Sequence, residues 1–297
     1  MPKFSDTYPT VDEVLDSHFN ELPPLDRPVM LVALNGWFDA ARAATSALDW
    51  LVQTRRCVTV ASIEPDPFFD FTQERPHVEI DEDDERHIRW PENHIVAVHG
   101  DEHGRDLVVL SGVEPHLHWT TFVECIIRCA RESGCSAVVT VGAMLDATPH
   151  TRTPVVTGST TTSALAAKLG LSRPQYEGPT GVVGVLHERL EHHRIPAVSL
   201  RVGVPHYLSS SEHPKSSAAL LRRLELVLGV STRHANLYEE IQRWSELHEA
   251  AVEEDEQTQM YVQMLEAEYD RRQDTVMPSA DDLGDAFEQF LRDQGDD

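Results

Sequence analysis

The stretch AVVTVGAMLDATPHTRTP, Ala137–Pro154, decides how the chain reads. It opens on AVVTVG (Ala137–Gly142), a short β-branched apolar run of the kind that forms a strand buried on both faces. DATPHTRTP follows and is polar and rich in turn-forming residues, so the chain should leave the sheet there. A helix is expected next, from about Ser159 to Leu169.

The same strand pattern recurs in VMLVAL (Val29–Leu34), VTVASI (Val58–Ile63), VVGVL (Val182–Leu186) and AVSLRVGV (Ala197–Val204). IVAV (Ile95–Val98) and LVVL (Leu107–Leu110) flank the turn GDEHGRD and read as a hairpin or a pair of neighbouring strands. Amphipathic helices fall between. Ala43, Ala44, Ala47, Leu48 and Leu51 form one stripe, and Phe122, Val123, Ile126, Ile127 and Ala130 another. A further helix covers Ser216–Leu228. Apolar strands alternating with such helices predict an α/β protein, its mainly parallel sheet covered on both faces. Residues 64–94 are polar and read as irregular.

Four regions follow: an N-terminal arm over 1–27, a core domain over 28–230, an acidic helical extension over 231–275 and a tail over 276–297. In the extension, Leu237, Ile241, Trp244, Leu247 and Ala251 make one stripe, and Val262, Leu265 and Tyr269 a second. The tail carries a short amphipathic pattern of Leu283, Phe287, Phe290 and Leu291. From Ser231 onward there are 19 acids against 5 Lys or Arg, which is −14 of the total charge of −25. That balance argues against a nucleic-acid partner, which needs clustered cations. No run approaches the roughly 20 apolar residues of a membrane span, and the N-terminus lacks a signal core, so a cytoplasmic location is expected. The cysteines have no CxxC spacing, and Cys125 and Cys129 read as small core residues.

In a parallel sheet, ligands gather where strands end and helices begin. The loops at such places offer Asp39, Glu114, His150, Arg152, Glu177, Thr180 and His206 as polar candidates. Gly178 and Gly181 would let backbone approach a ligand closely. A carboxylate, an imidazole and an arginine together would suit anion binding or proton transfer, whereas the same residue types also serve as caps, turns and internal ion pairs. The phosphate-loop, dinucleotide, nucleophile-elbow and HExxH motifs are all missing, and no cofactor is expected. His116 and His118 form an HxH at a helix entry without a second cluster, and DEDDE (Asp81–Glu85) lacks calcium-loop spacing, so no metal site is assigned.

In their shared order, LNGWFDA, GVEPHLHW, DATPHTRTPVVTG, YEGPTGVVGVL, VPHYLSSSEHPKSSAALL and YVQMLEAEYD resemble the proteasome-assembly-chaperone 2 family, in its actinobacterial branch. The likeness runs from about Pro28 to Arg272. The chain departs from that pattern at Asn35, where an acid is favoured, at Ala41, where Gly is favoured, and at Thr153, where Pro is favoured. The resemblance implies a three-layer α/β/α sandwich similar to the nucleoside-phosphorylase type, and a homo-oligomer, with a trimer expected by analogy. It also implies a non-catalytic, chaperone-like protein with proteasome-related protein partners. The alternative is an enzyme or small-ligand binder using a strand-end pocket for an anionic or nucleoside-like molecule.

Overall fold

The computed structural model describes residues 8–101, 104–169, 171–209 and 212–273. The expected helix of the tail, Leu283–Leu291, lies outside them. In chain order the elements are α1 (Val11–Val14), β1 (Leu15–Ser17), β2 (Val29–Asn35), α2 (Ala43–Gln53), β3 (Cys57–Ile63), β4 (His77–Ile80), β5 (Arg86–Arg89), β6 (Asn93–Val98) and β7 (Leu107–Val113). There follow α3 (Trp119–Glu132), β8 (Val138–Asp146), β9 (Val156–Ser159), α4 (Ser163–Leu169), α5 (Val182–His192), β10 (Ala197–Pro205), α6 (Pro214–Leu228), α7 (Tyr238–Glu253) and α8 (Glu256–Gln273).

Eight strands form one sheet in the order β1-β3-β6-β7-β2-β8-β10-β9. The central four, β7, β2, β8 and β10, run parallel, and the antiparallel pairings lie outside them. Helices cover both faces, as the apolar strands require. Along β2, Val29, Leu31 and Ala33 enter a core shared with α2 and α6, whereas Met30, Val32 and Leu34 enter one shared with α3 and α5. Both cores are built by this two-residue alternation.

Three segments differ from the sequence expectation. VVGVL is the start of α5 and not a strand. Val182, Leu186 and Leu190 are spaced four apart and buried together, and that helical stripe prevails over the β-branched composition. Residues 64–94 are not wholly irregular, because β4 and β5 pair as a hairpin. Its strands are exposed throughout, so no buried alternation marks them. DATPHTRTP leads into the short strand β9, antiparallel to β10, before α4 begins at Ser163.

Within residues 8–27, β1 pairs with β3, and Val14 and Phe19 enter the core beside α3. Cys125 and Cys129 are buried on α3, where burial pushes the Cys125 thiol up to about 12 and the Cys129 thiol upward too. They pack as small apolar groups. Among the described residues no helix is long and apolar enough to cross a membrane.

Candidate functional site

β2 sits at the centre of the sheet. The chain reaches β7 on one side of it and later β8 on the other, so the topological switch point lies at the carboxyl end of β2. In open α/β sheets that is where a ligand crevice forms. Here the chain itself fills the crevice. The Phe38 ring lies on Gly142, where an added Cβ would stand 2.0 Å from it, and the Ala143 N–H donates to the Phe38 carbonyl at 2.8 Å. Beside it, Glu114 Oε2 accepts the Trp37 N–H at 2.6 Å. The Glu114 side chain also closes over Gly36, where a Cβ would come within 2.3 Å of Oε2. Gly181, at the start of α5, faces both Glu114 and the Trp37 ring at 3.1 Å from where its Cβ would stand.

Asp39 is buried and serves α2. Its carboxylate accepts the Ala44 N–H at 2.7 Å, the Thr45 N–H at 3.2 Å and the Thr45 hydroxyl at 2.5 Å. Burial raises its pKa and those hydrogen bonds oppose the rise. Ala41 and Arg42, which follow, have φ of 53° each, the left-handed region that favours glycine.

His150, Arg152 and His206 lie apart from that group, under the C-terminal helices. The Tyr207 hydroxyl accepts the His150 backbone N–H at 2.9 Å and bonds its Nδ1 at 2.8 Å, and Lys215 Nζ donates to the His150 carbonyl at 2.5 Å. His150 Nε2 is buried with no partner among the described residues. Burial, then the Lys215 and His248 charges, lowers its pKa and keeps the ring neutral. Arg152 is held by α8: Nε and Nη2 each donate to Asp270 at 2.9 Å, and Nη1 to Glu266 at 3.1 Å. This hydrogen bonding and charge lower the Asp270 pKa. His206 Nε2 bonds Tyr261 of α8 at 2.8 Å, and Tyr269 donates to the Thr153 carbonyl at 2.6 Å.

Glu177, Gly178 and Thr180 are exposed on the segment leading into α5. Gly178 has a φ of +153°, and the Tyr176 hydroxyl donates to the Pro179 carbonyl at 3.0 Å. The Thr180 hydroxyl lies against Gly184. The nine candidates therefore fall into four sets: Glu114 with Gly181, the exposed Glu177, Gly178 and Thr180, the group of His150, Arg152 and His206 under the C-terminal helices, and Asp39 at the start of α2. A cavity of about 230 Å³ between α2, α6 and α7, lined by Arg42, Asp49, Trp50, Glu212 and Glu240 among others, contains none of them.

Sequence reading places Tyr269 on an apolar stripe and counts YVQMLEAEYD toward the family resemblance, but it assigns no site role to the α8 partners Tyr261, Glu266, Tyr269 and Asp270. Their spacing puts them on neighbouring turns of one helix and could have marked a docking face. The HxH rings are spent locally: His116 Nδ1 accepts the Asp70 N–H at 3.1 Å, and His118 meets Tyr8 edge-on. Asp81, Glu85 and His87 come within 4.8 Å of one another at the exposed β4–β5 turn. There Asp81 Oδ1 already accepts the Asp83 and Glu85 N–H groups.

The fold and its filled switch point define an α/β/α sandwich in which Asp39, Glu114, Arg152 and His206 are engaged with the chain itself. Residues 33–252 match the model of the PAC2 family, and the chain belongs to that family. It is similar to a PAC2 family protein from Streptomyces avermitilis at 38% identity, covering 79% of this chain and 99% of that one, with a TM-score of 0.72. A Mycobacterium tuberculosis proteasome-assembly chaperone homologue is 34% identical over 79% of this chain and 99% of its own, with a TM-score of 0.71. A second M. tuberculosis protein, of unknown function, is 26% identical over 97% of this chain and 99% of its own, with a TM-score of 0.80. No curated protein matches the sequence significantly.

Proposed function

We propose that this chain is a non-catalytic protein-interaction protein of the assembly-chaperone kind, acting as a homo-oligomer with proteasome-related partners in the cytoplasm. The observation that carries the reading is the filled crevice. Phe38 and Glu114 take up the space in which this class of fold holds a small molecule, and Arg152 and His206 are committed to α8. Exposed apolar side chains at the same end of the sheet suit contact with a protein. The similarity to a proteasome-assembly chaperone homologue supports the proteasome link.

The test is affinity capture of the full-length chain from native cytosol, followed by light scattering of the purified material. Reproducible recovery of proteasome subunits and a mass above that of the monomer are expected. Recovery of abundant background proteins alone, with a monomeric mass, would overturn the reading.

A further inference from the structure

The β4–β5 hairpin leaves the main sheet between β3 and β6, at the end where β2 finishes. Its two strands pair only with each other. A two-stranded ribbon with neither face covered is marginal in water, and an apolar face on it calls for a cover.

The two faces of this ribbon differ. Its register sets His77 against Arg89, Val78 against Ile88, Glu79 against His87 and Ile80 against Arg86, and alternation sorts the side chains. One face carries His77, Glu79, His87 and Arg89. Its charges are matched locally, with Arg89 Nε 3.0 Å from Glu79 and His87 Nε2 2.7 Å from Asp81. The other face carries Val78, Ile80 and Ile88, which are 50%, 69% and 56% exposed. Arg86 shares that face and has no ion pair among the described residues. Two positions beyond Ile88, Trp90 continues the row at the base of the arm, 42% exposed and edge-on to Phe71 at 4.8 Å.

This face is complementary to itself when two arms meet antiparallel. From base to tip it runs Trp90, then Val78 with Ile88, then Ile80 with Arg86. A two-fold axis through the middle row sets that row on its own copy. It also brings Ile80 and Arg86 of one arm to Trp90 of the other, an apolar contact and a cation–π contact. Charge selects the same orientation. The turn Asp81–Glu85 is acidic at every position, and arms lying in one direction would set turn against turn. Antiparallel pairing moves each turn to the other arm's base, where Arg75 is exposed and has no ion pair among the described residues.

We propose that the apolar face of this hairpin packs on the same face of a second copy of the chain, arm against arm about a two-fold axis. The proposal rests on the homo-oligomer reading above and names the surface that serves it. Four apolar side chains per copy fall short of the roughly 800 Å² per partner of a stable interface, so pairing by the arm is reversible, with a dissociation constant on the order of micromolar.

The test is sedimentation velocity of the full-length chain from about 1 to 100 μM. The wild-type mass should rise above that of the monomer, and Val78→Ser and Ile88→Ser should each weaken self-association by about tenfold or more. Unaltered melting temperatures at the dilute end check that both variants fold. Position is tested with Val78→Cys and Glu79→Cys, each with the exposed Cys57 changed to Ser, treated with a short bis-maleimide. Val78→Cys should join two copies, and Glu79→Cys, on the opposite face of the same strand, should not. Equal cross-linking of the two would mean random collision and would overturn the proposal. Association unchanged in both Ser variants would leave the homo-oligomer reading standing on another surface and overturn this one. A monomeric wild type at every concentration would overturn both.

Discussion

Ala41 and Arg42 form a left-handed pair between the filled crevice and α2. Each L-residue with a side chain in that region costs roughly 1–2 kcal/mol. Ala41 is also where the family resemblance favours glycine, and its conformation supplies the physical reason. Ala41→Gly should therefore raise unfolding stability by about 1 kcal/mol, less whatever the freer unfolded chain takes back. Urea titration measures this, and an unchanged or lower midpoint would refute it. Position 41 offers no such clue in composition or periodicity, because backbone dihedrals are not written in side-chain pattern. Asp39 is half legible. Its loop position and residue type suit a cap as well as a site, and only the bonds to Ala44 and Thr45 decide between them.

At the scale of elements, the buried strands and the helices α2, α3 and α6 are legible because each carries a single strong period. VVGVL satisfies both patterns, and Gly184 conceals the helix by lowering its propensity. The docking of α8 illustrates a different limit. Arg152 and Asp270 are each recognisable as charged surface residues, but 118 positions separate them, and only the fold brings them together. α8 buries just Val262 and Leu265 deeply, so its polar anchors to the DATPHTRTP loop carry much of its attachment. Bidentate arginine pairs are the stronger kind of surface ion pair. In Arg152→Ala, amide hydrogen exchange across 256–273 should accelerate by about tenfold, with exchange in the β2 and β8 amides unchanged. Uniform acceleration throughout the chain would instead mean that Arg152 supports the whole fold.

At the scale of the molecule, two buried histidines, His150 and His213, and the half-buried His187 make stability depend on pH. Burial lowers the pKa of His187 to about 4 and of His213 to about 3, and it lowers that of His150, with Lys215 and His248 adding to the effect. All three are neutral in the native state at pH 7. Below their ordinary value of 6.5 the unfolded chain takes up protons that the native state refuses. Stability should therefore fall as pH drops from about 6.5, by up to about 1.4 kcal/mol per pH unit for each histidine, until its native pKa is reached. The lowered carboxylates Glu124, Glu225 and Asp270 add loss in the same direction at lower pH, and Asp39, whose pKa is raised, opposes it. Melting temperatures measured from pH 7.5 down to 5 should decline, and a flat profile would rule the account out.

The two margins of the sheet carry a consequence for crowded conditions. β1 is three residues long and β9 four, and the outer side of β9 is partly taken by Ser172. Edges this short are poor templates for another strand. Lateral, fibril-like growth of the eight-stranded sheet is thus disfavoured at both sides, even though its interior strands are long and apolar. Ordered association is left to the helical layers, the strand ends and the exposed β4–β5 hairpin, where the number of partners is finite and an assembly can close.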